Sequence, residues 1–173
     1  MRSVRTVRFL EPDEVAASLE ILSEAAAWMR RRGEHVWQVD ENFAAEQAQA
    51  ARAGELVGGF AGGKMTCTMR LQPMDRTYWP DAKRGEALYI HKLAVGRTAA
   101  SAGWPGELIA LALDQARQQG IGELRLDTLS CEALVDLYSG LGFVMAGPAP
   151  GPSGLVLMRM AVTPGQTASP ELL

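Results

Sequence analysis

The stretch LAVGRTAASAGWPGELIALALDQA, Leu93 to Ala116, joins the end of an apolar strand to an amphipathic helix through a loop of small residues. Arg97 is the loop's only charge before Glu107, and Gly96, Gly103 and Pro105 punctuate it. Leu108, Ile109, Ala112, Leu113 and Ala116 recur at helical spacing on one face, with Glu107, Asp114, Gln115, Arg117 and Gln118 on the other. Followed by a further strand, such a unit is a right-handed parallel crossover, and its loop lies beyond the carboxyl end of the first strand. The N–H groups of Gly103, Trp104, Gly106 and Glu107 then project from a helix start as free donors, suited to an anion. A plainer reading stands beside this one: Gly103 and Pro105 simply end the loop and start the helix.

Working outward, TVRFL alternates as a strand, and Pro12, Asp13 and Glu14 open a helix. Val15, Leu19, Leu22, Ala26 and Met29 form its apolar stripe, and RRRG closes it at Gly33. DENFAAEQAQAARAG predicts a second, shorter helix ending at Gly54, and two strands flank a Gly62-Gly63 hairpin turn. ALYIHKLAV is a fourth strand, whose alternation puts Tyr89, His91, Leu93 and Val95 on one face and Leu88, Ile90, Lys92 and Ala94 on the other. GELRLDTL is a fifth strand. CEALVDLYSGLG is a fourth helix with Leu134, Leu137, Tyr138 and Leu141 on one face, and FVMAG and LVLMRMAV close the fold. The predicted order is β-α-α-β-β-β-α-β-α-β-β, an α/β arrangement with a mixed sheet, in one domain over residues 1–162, with 163–173 a C-terminal tail.

The chain has 173 residues, 47% of them hydrophobic, and a formal net charge of -3, enough for one sizeable core. That balance supplies no basic face for nucleic acid or an acidic membrane. Nor does any stretch reach the ~20 apolar residues that cross a bilayer. Cys67 and Cys131 make no CxxC, and MRSVRTVRFLEPDE lacks a signal-like apolar run, so a reduced, cytoplasmic chain is expected. The two histidines lie far apart in sequence, and no metal is expected.

YIHKLAV, the glycine-bearing loop, the helix after it and LYSGLGF together resemble the GNAT superfamily of acetyl-coenzyme A-dependent N-acetyltransferases, over Val4 to Val162. The resemblance implies a twisted mixed sheet whose fourth and fifth strands splay apart to admit acetyl-coenzyme A. It also implies that Leu93, Ala94 and Val95 meet the pantetheine through their backbone, with the N–H of Ala94 or Val95 on the thioester oxygen. Arg97, Ala102, Gly103, Trp104, Gly106 and Glu107 would then surround the pyrophosphate, with Cys131 and Tyr138 completing the cofactor contacts. The family loop reads Q/R-x-x-G-x-G/A. Here Ala100 takes the first slot, Gly103 the second and Pro105 the third, and Pro105 offers no N–H.

Acetyl transfer to an amine needs a base for the ammonium, a donor for the acyl oxygen and a proton for the departing thiolate. The resemblance gives Tyr138, in LYSGLGF, the last role; it also fits as a packing residue among leucines. In arylalkylamine-acetylating members the strand reads H-x-H-x-L-A-V, which places His91 on the second His and Tyr89 on the first. His91 is thus the expected base, although a lone strand histidine is as often structural. Glu86, Asp127 and Glu132 are the alternative carboxylates. Cys131 near a helix start has the placement of a nucleophile, without a neighbouring His to activate it. Trp28, Trp37, Tyr78, Trp79 and Tyr89 are expected around the acceptor. The function expected is transfer of an acetyl group to a primary amine of a small molecule, in a chain that forms a homodimer or stays single. The alternatives are a non-catalytic acyl-coenzyme A-binding domain and a protein N-acetyltransferase.

Overall fold

The computed structural model describes residues 4–151 and 153–164; the expected tail lies almost wholly outside the described residues. Seven strands form one sheet in the order β1-β2-β3-β4-β5-β7-β6. They are β1 (Arg5–Phe9), β2 (Leu56–Ala61), β3 (Lys64–Gln72), β4 (Leu88–Val95), β5 (Glu123–Leu129), β6 (Val144–Pro148) and β7 (Leu155–Ala161). The helices are α1 (Val15–Arg31), α2 (Glu41–Arg52), α3 (Trp104–Gln118) and α4 (Glu132–Gly140). All pairings are antiparallel except β4 with β5, the crossover that α3 spans. Among the described residues no helix is long and apolar enough to cross a membrane.

Local chemistry sets each boundary. The Asp40 side chain accepts from the Phe43 N–H at 2.9 Å and caps α2. Gly62 and Gly63 both hold positive φ, 57° and 81°, as a tight two-residue hairpin requires. Two apolar clusters fill the two sides of the sheet. One gathers Leu108, Ile109, Ala112 and Ala116 of α3 with Tyr138 and Phe143, while the other packs α1 and α2 on Leu56, Phe60, Met65 and Ala94. Ser18 belongs to the buried face of α1 because its hydroxyl meets that of Thr68 at 2.9 Å.

Two expectations need correction. Leu137 of α4 is 37% exposed, and the helix packs through Tyr138, with Leu134, Val135 and Leu141 only partly covered. The strict alternation expected along β4 also fails. His91 faces Arg70 and Ala94 faces Thr68, so Lys92 and Leu93 together stand opposite Met69. This is a β-bulge, and Lys92 takes φ 51°, the one positive φ outside glycine among the described residues. An extra residue reverses the pleat. Leu88 and Ile90 join the cluster under α3, and beyond the bulge Leu93 and Val95 continue that face; Ala94 turns to α1 and α2. Leu93 and Val95 therefore do not share a face with Tyr89 and His91.

Candidate active site

β4 and β5 pair only from Leu88 to Ile90 against Leu124 to Leu126. Beyond that point the β5-facing edge of β4 has no strand partner, and His91 and Asp127 are the first residues past the split. Alternation along β5 puts Leu124 and Leu126 in the α3 cluster, and Arg125 and Asp127 on the opposite face. His91 projects on that same face. Its Nδ1 lies 3.2 Å from Asp127 Oδ1, and its Nε2 lies 3.5 Å from Asp75 Oδ2.

Asp75 enters from the loop between β3 and β4. Its Oδ1 accepts from the N–H groups of Thr77 at 3.0 Å and Tyr78 at 3.1 Å, a side-chain turn that pins the carboxylate and leaves Oδ2 for His91. The Asp75 side chain is 5% exposed, those of His91 and Asp127 15% and 16%. Sequence reading missed Asp75; the turn signal in DRTY was legible, but not where the turn would deliver the acid. Burial first, and then Asp127 and Asp75, push the Tyr78 phenol above its ordinary range.

Arg125 neutralises the neighbouring ground without entering the trio. Its guanidinium meets Glu123 at 2.7 Å, Glu86 at 3.2 Å and the Tyr89 hydroxyl at 3.3 Å, and stacks over Trp79 at 4.7 Å. Glu86 is thereby the ion-pair partner of Arg125, and it also accepts from the Lys83 N–H at 2.9 Å. Tyr89 and Trp79 lie together, ring centres 6.4 Å apart, but Tyr89 is fully buried and lines no open space. Trp28 and Trp37 are elsewhere. Trp28 lies under Arg97 and Arg32, at 4.1 and 4.6 Å, while Trp37 stacks on Phe43 and donates to the Leu22 carbonyl. A hollow of about 640 Å³ opens beside Trp37, between α1 and residues 35–39; His91, Asp127 and Tyr138 are not in its lining.

On the other face of the sheet, Tyr138 packs edge-on against Phe143, ring centres 5.9 Å apart. Burial, and secondarily Asp127, push its phenol well above the ordinary range. The loop after Val95 runs through a short turn at Arg97–Ala99 to Gly103, which holds φ 78° and begins α3 with no side chain capping the helix start. The first-turn amides of α3 are thus open to an anion. Pro105 occupies a first-turn position, where a missing N–H costs the helix nothing.

Several loop residues have other duties than those expected. Trp104 is 2% exposed, wedged where a Cβ on Gly59 would lie 2.9 Å from its ring and on the Cys67 sulfur, so it offers a ligand only its backbone. Arg97 covers Trp28, and its N–H donates to Glu24 at 3.0 Å. Arg5, not foreseen from sequence, stacks over Trp104 at 3.7 Å, donates to the Ala102 carbonyl at 2.9 Å and pairs with Glu107 at 3.0 Å. Cys131 stands at the start of α4 as a free thiol, and Glu132 is exposed in the first turn.

Asp75, His91 and Asp127 each offer a ligand atom within 4.8 Å of the others. A metal takes one imidazole nitrogen and leaves the other to an outer carboxylate. With one aspartate on each ring nitrogen, a cation at Nε2 would have Asp75 beside it and Asp127 behind the ring, a poor set for a resident metal.

No sequence profile of a known family matches the chain, and no curated protein matches it. Solved structures do match its fold. An acetyltransferase of the GNAT family from Listeria monocytogenes superposes with a TM-score of 0.75 at 21% identity, covering 91% of this chain and 94% of its own. PaiA N-acetyltransferase from Thermoplasma acidophilum, in complex with coenzyme A, gives 0.70 at 14% identity, over 91% and 99% of the two chains. The ribosomal-protein-S18-alanine N-acetyltransferase from Escherichia coli gives 0.66 at 20% identity, over 95% and 98%. The chain has the fold of the GNAT acetyltransferases.

Proposed function

We propose that the chain is an N-acetyltransferase that moves the acetyl group of acetyl-coenzyme A onto a primary amine of a small molecule. The observation that carries this is the split between β4 and β5, with His91 and Asp127 on one face and the buried phenol of Tyr138 on the other. The uncapped start of α3 suits the pyrophosphate through the amides of Gly103, Trp104 and Gly106, the Glu107 amide being the first to bond within the helix, and the unpartnered edge of β4 from His91 to Val95 suits the pantetheine. The likeness to structures holding coenzyme A supports the same choice of donor.

The thioester supplies the activated acetyl group. Asp127 beside Nδ1 fixes the imidazole so that Nε2 accepts one proton from the ammonium. The freed nitrogen forms the C–N bond as the C–S bond breaks, with the N–H of Ala94 or Val95 holding the acyl oxygen. Tyr138, kept protonated by its burial, gives its proton to the departing thiolate, and the second proton, shed by the new amide nitrogen to water, restores the phenol. Having base and acid on opposite faces keeps the two proton transfers apart.

Thiol release from acetyl-coenzyme A with a panel of primary amines tests the reading. His91→Ala and Tyr138→Phe should each lower kcat by about 100-fold or more, with thermal stabilisation by acetyl-coenzyme A retained. Wild-type rates in both variants, or no thiol release with any acceptor, would overturn it.

A further inference from the structure

Lys92 carries costs that the fold does little to offset. Its φ of 51° is a sparsely populated conformation for a residue with a Cβ, and strain of this kind collects where a side chain must be aimed for function. Its ammonium is partly withdrawn from water: burial first, and then Arg70, lower its pKa, against Glu46 and Asp127, which raise it. Among the described residues no carboxylate comes within ion-pair distance of it. The ammonium lies instead over the Phe43 ring, 5.1 Å from its centre.

The bulge decides where that charge goes. Strict alternation from Leu88 and Ile90 would aim Lys92 into the apolar cluster under α3, yet its Nζ stands over Phe43, which belongs to the cluster on the other side of the sheet. Two consecutive residues, His91 and Lys92, therefore present their side chains on the same face, which a regular strand forbids. Both are partly exposed, and both lie past Ile90, the last residue of β4 to pair with β5. Their Cα atoms are about 3.8 Å apart, so an amine at His91 and an anion at Lys92 fit within one small molecule. We propose that Lys92 is the anion-binding residue of the acceptor site, and that the acceptor is an amino acid, a primary amine with a carboxylate a few bonds from the reacting nitrogen. This deepens the acetyl-transfer reading and rests on it.

Other cations near the site are placed less well for the role. Arg70 is paired to Glu55 at 2.7 Å, and Arg125 to Glu123 and Glu86. Arg76, next to Asp75, has no ion pair among the described residues but is exposed on the loop, whereas Lys92 is half-buried on the strand that carries the base. Asp75 and Asp127 gather negative charge at the imidazole, at 3.5 and 3.2 Å, and Lys92 puts a positive charge one residue further along β4. An amino acid carries the complementary pair, ammonium beside carboxylate, and that pairing brings its nitrogen to His91. A plain amine offers Lys92 nothing.

The test compares acceptors that differ only in the carboxylate: leucine against 3-methylbutylamine, and 4-aminobutyrate against propylamine, for a short and a longer spacing. In one or both pairs kcat/KM for thiol release should be at least about 10-fold higher for the amino acid. Lys92→Met should lower that preference by about 10- to 100-fold, chiefly through KM, the size expected for a hydrogen bond between charged groups. Lys92→Arg, which keeps the charge, should retain it. Lys92→Gly, which relieves the positive φ, gives the same readout should Lys92→Met fail to fold. A lysine that only packed on Phe43 would change stability, or both members of a pair alike, and leave their ratio as it was. A ratio at or below one in both pairs, or a preference that survives in folded Lys92→Met or Lys92→Gly, would overturn the assignment while the transfer reading stands. Absence of thiol release with every acceptor would remove both.

Discussion

Replacing Trp104 tests whether the seat of α3 is built as described. Its side chain is 2% exposed and leans on a site where glycine is the only residue that fits, since a Cβ on Gly59 would lie 2.9 Å from its ring and on the Cys67 sulfur. Trp104→Ala should cost about 3–5 kcal/mol, from lost transfer energy and the cavity left behind. About 0.5–1 kcal/mol more goes with the Arg5 guanidinium 3.7 Å above the ring. Gly59→Ala attacks the same contact from the other side and should cost about 1–3 kcal/mol through overpacking. The double variant has room for the new methyl beside the vanished indole, although the sulfur of Cys67 still opposes it. It should therefore be about 1 kcal/mol more stable than the two separate losses predict. Urea unfolding followed by far-UV circular dichroism measures all three. Strict additivity, or a Trp104→Ala loss under about 1 kcal/mol, would refute the packing described here.

Three further outcomes follow from single residues. Lys92→Gly should stabilise the fold by up to about 1 kcal/mol in urea unfolding, by removing left-handed strain at φ 51°; a loss would mean that the stem packing of Lys92 outweighs the strain. Glu14 is held at about 2 by hydrogen bonds from Arg8 and the Glu11 backbone, below its ordinary 4.5, so its contribution is complete above pH 4.5 and disappears as pH falls towards 2. Because Arg8 is half exposed, that contribution is under about 1 kcal/mol, and Glu14→Gln should flatten the stability profile over this window. Cys67 is fully buried and burial pushes its thiol up to about 11, so a disulfide reagent at pH 8 should modify Cys131 in the native protein and reach Cys67 only in denaturant.

What could be read beforehand was whatever short-range chemistry decides. Gly62-Gly63 dictates its hairpin through φ, the α3 stripe through its period, and the β4-α3-β5 crossover through handedness. His91 and Tyr138 were legible because neighbouring residues in sequence frame them. Asp75 was not, since its place beside His91 depends on a loop returning across the sheet, and no local pattern encodes that return. Arg5 was hidden for the same reason: it acts 97 positions away, on the carbonyl of Ala102. The bulge escaped because KLAV alternates acceptably in either register, and only pairing with Thr68 and Arg70 shows the extra residue. Leu137 was misjudged because α4 is a short helix, packing chiefly through Tyr138 and leaving its flank to solvent.

The bulge at Lys92 and Leu93 has a consequence for how such a protein can diversify. Upstream of it β4 presents Tyr89 and His91 to one side of the sheet; downstream it presents Leu93 and Val95 to the other. A change at position 91 therefore leaves the packing of Leu93 and Val95 under α3 undisturbed, and the reverse also holds. Deleting Lys92 would leave both sets where they are, since Leu93 would then stand alone opposite Met69 while His91, Ala94 and Val95 keep their partners. The strand thus behaves as two independently inheritable parts, with Lys92 as the joint at which one can be rewritten while the other is kept.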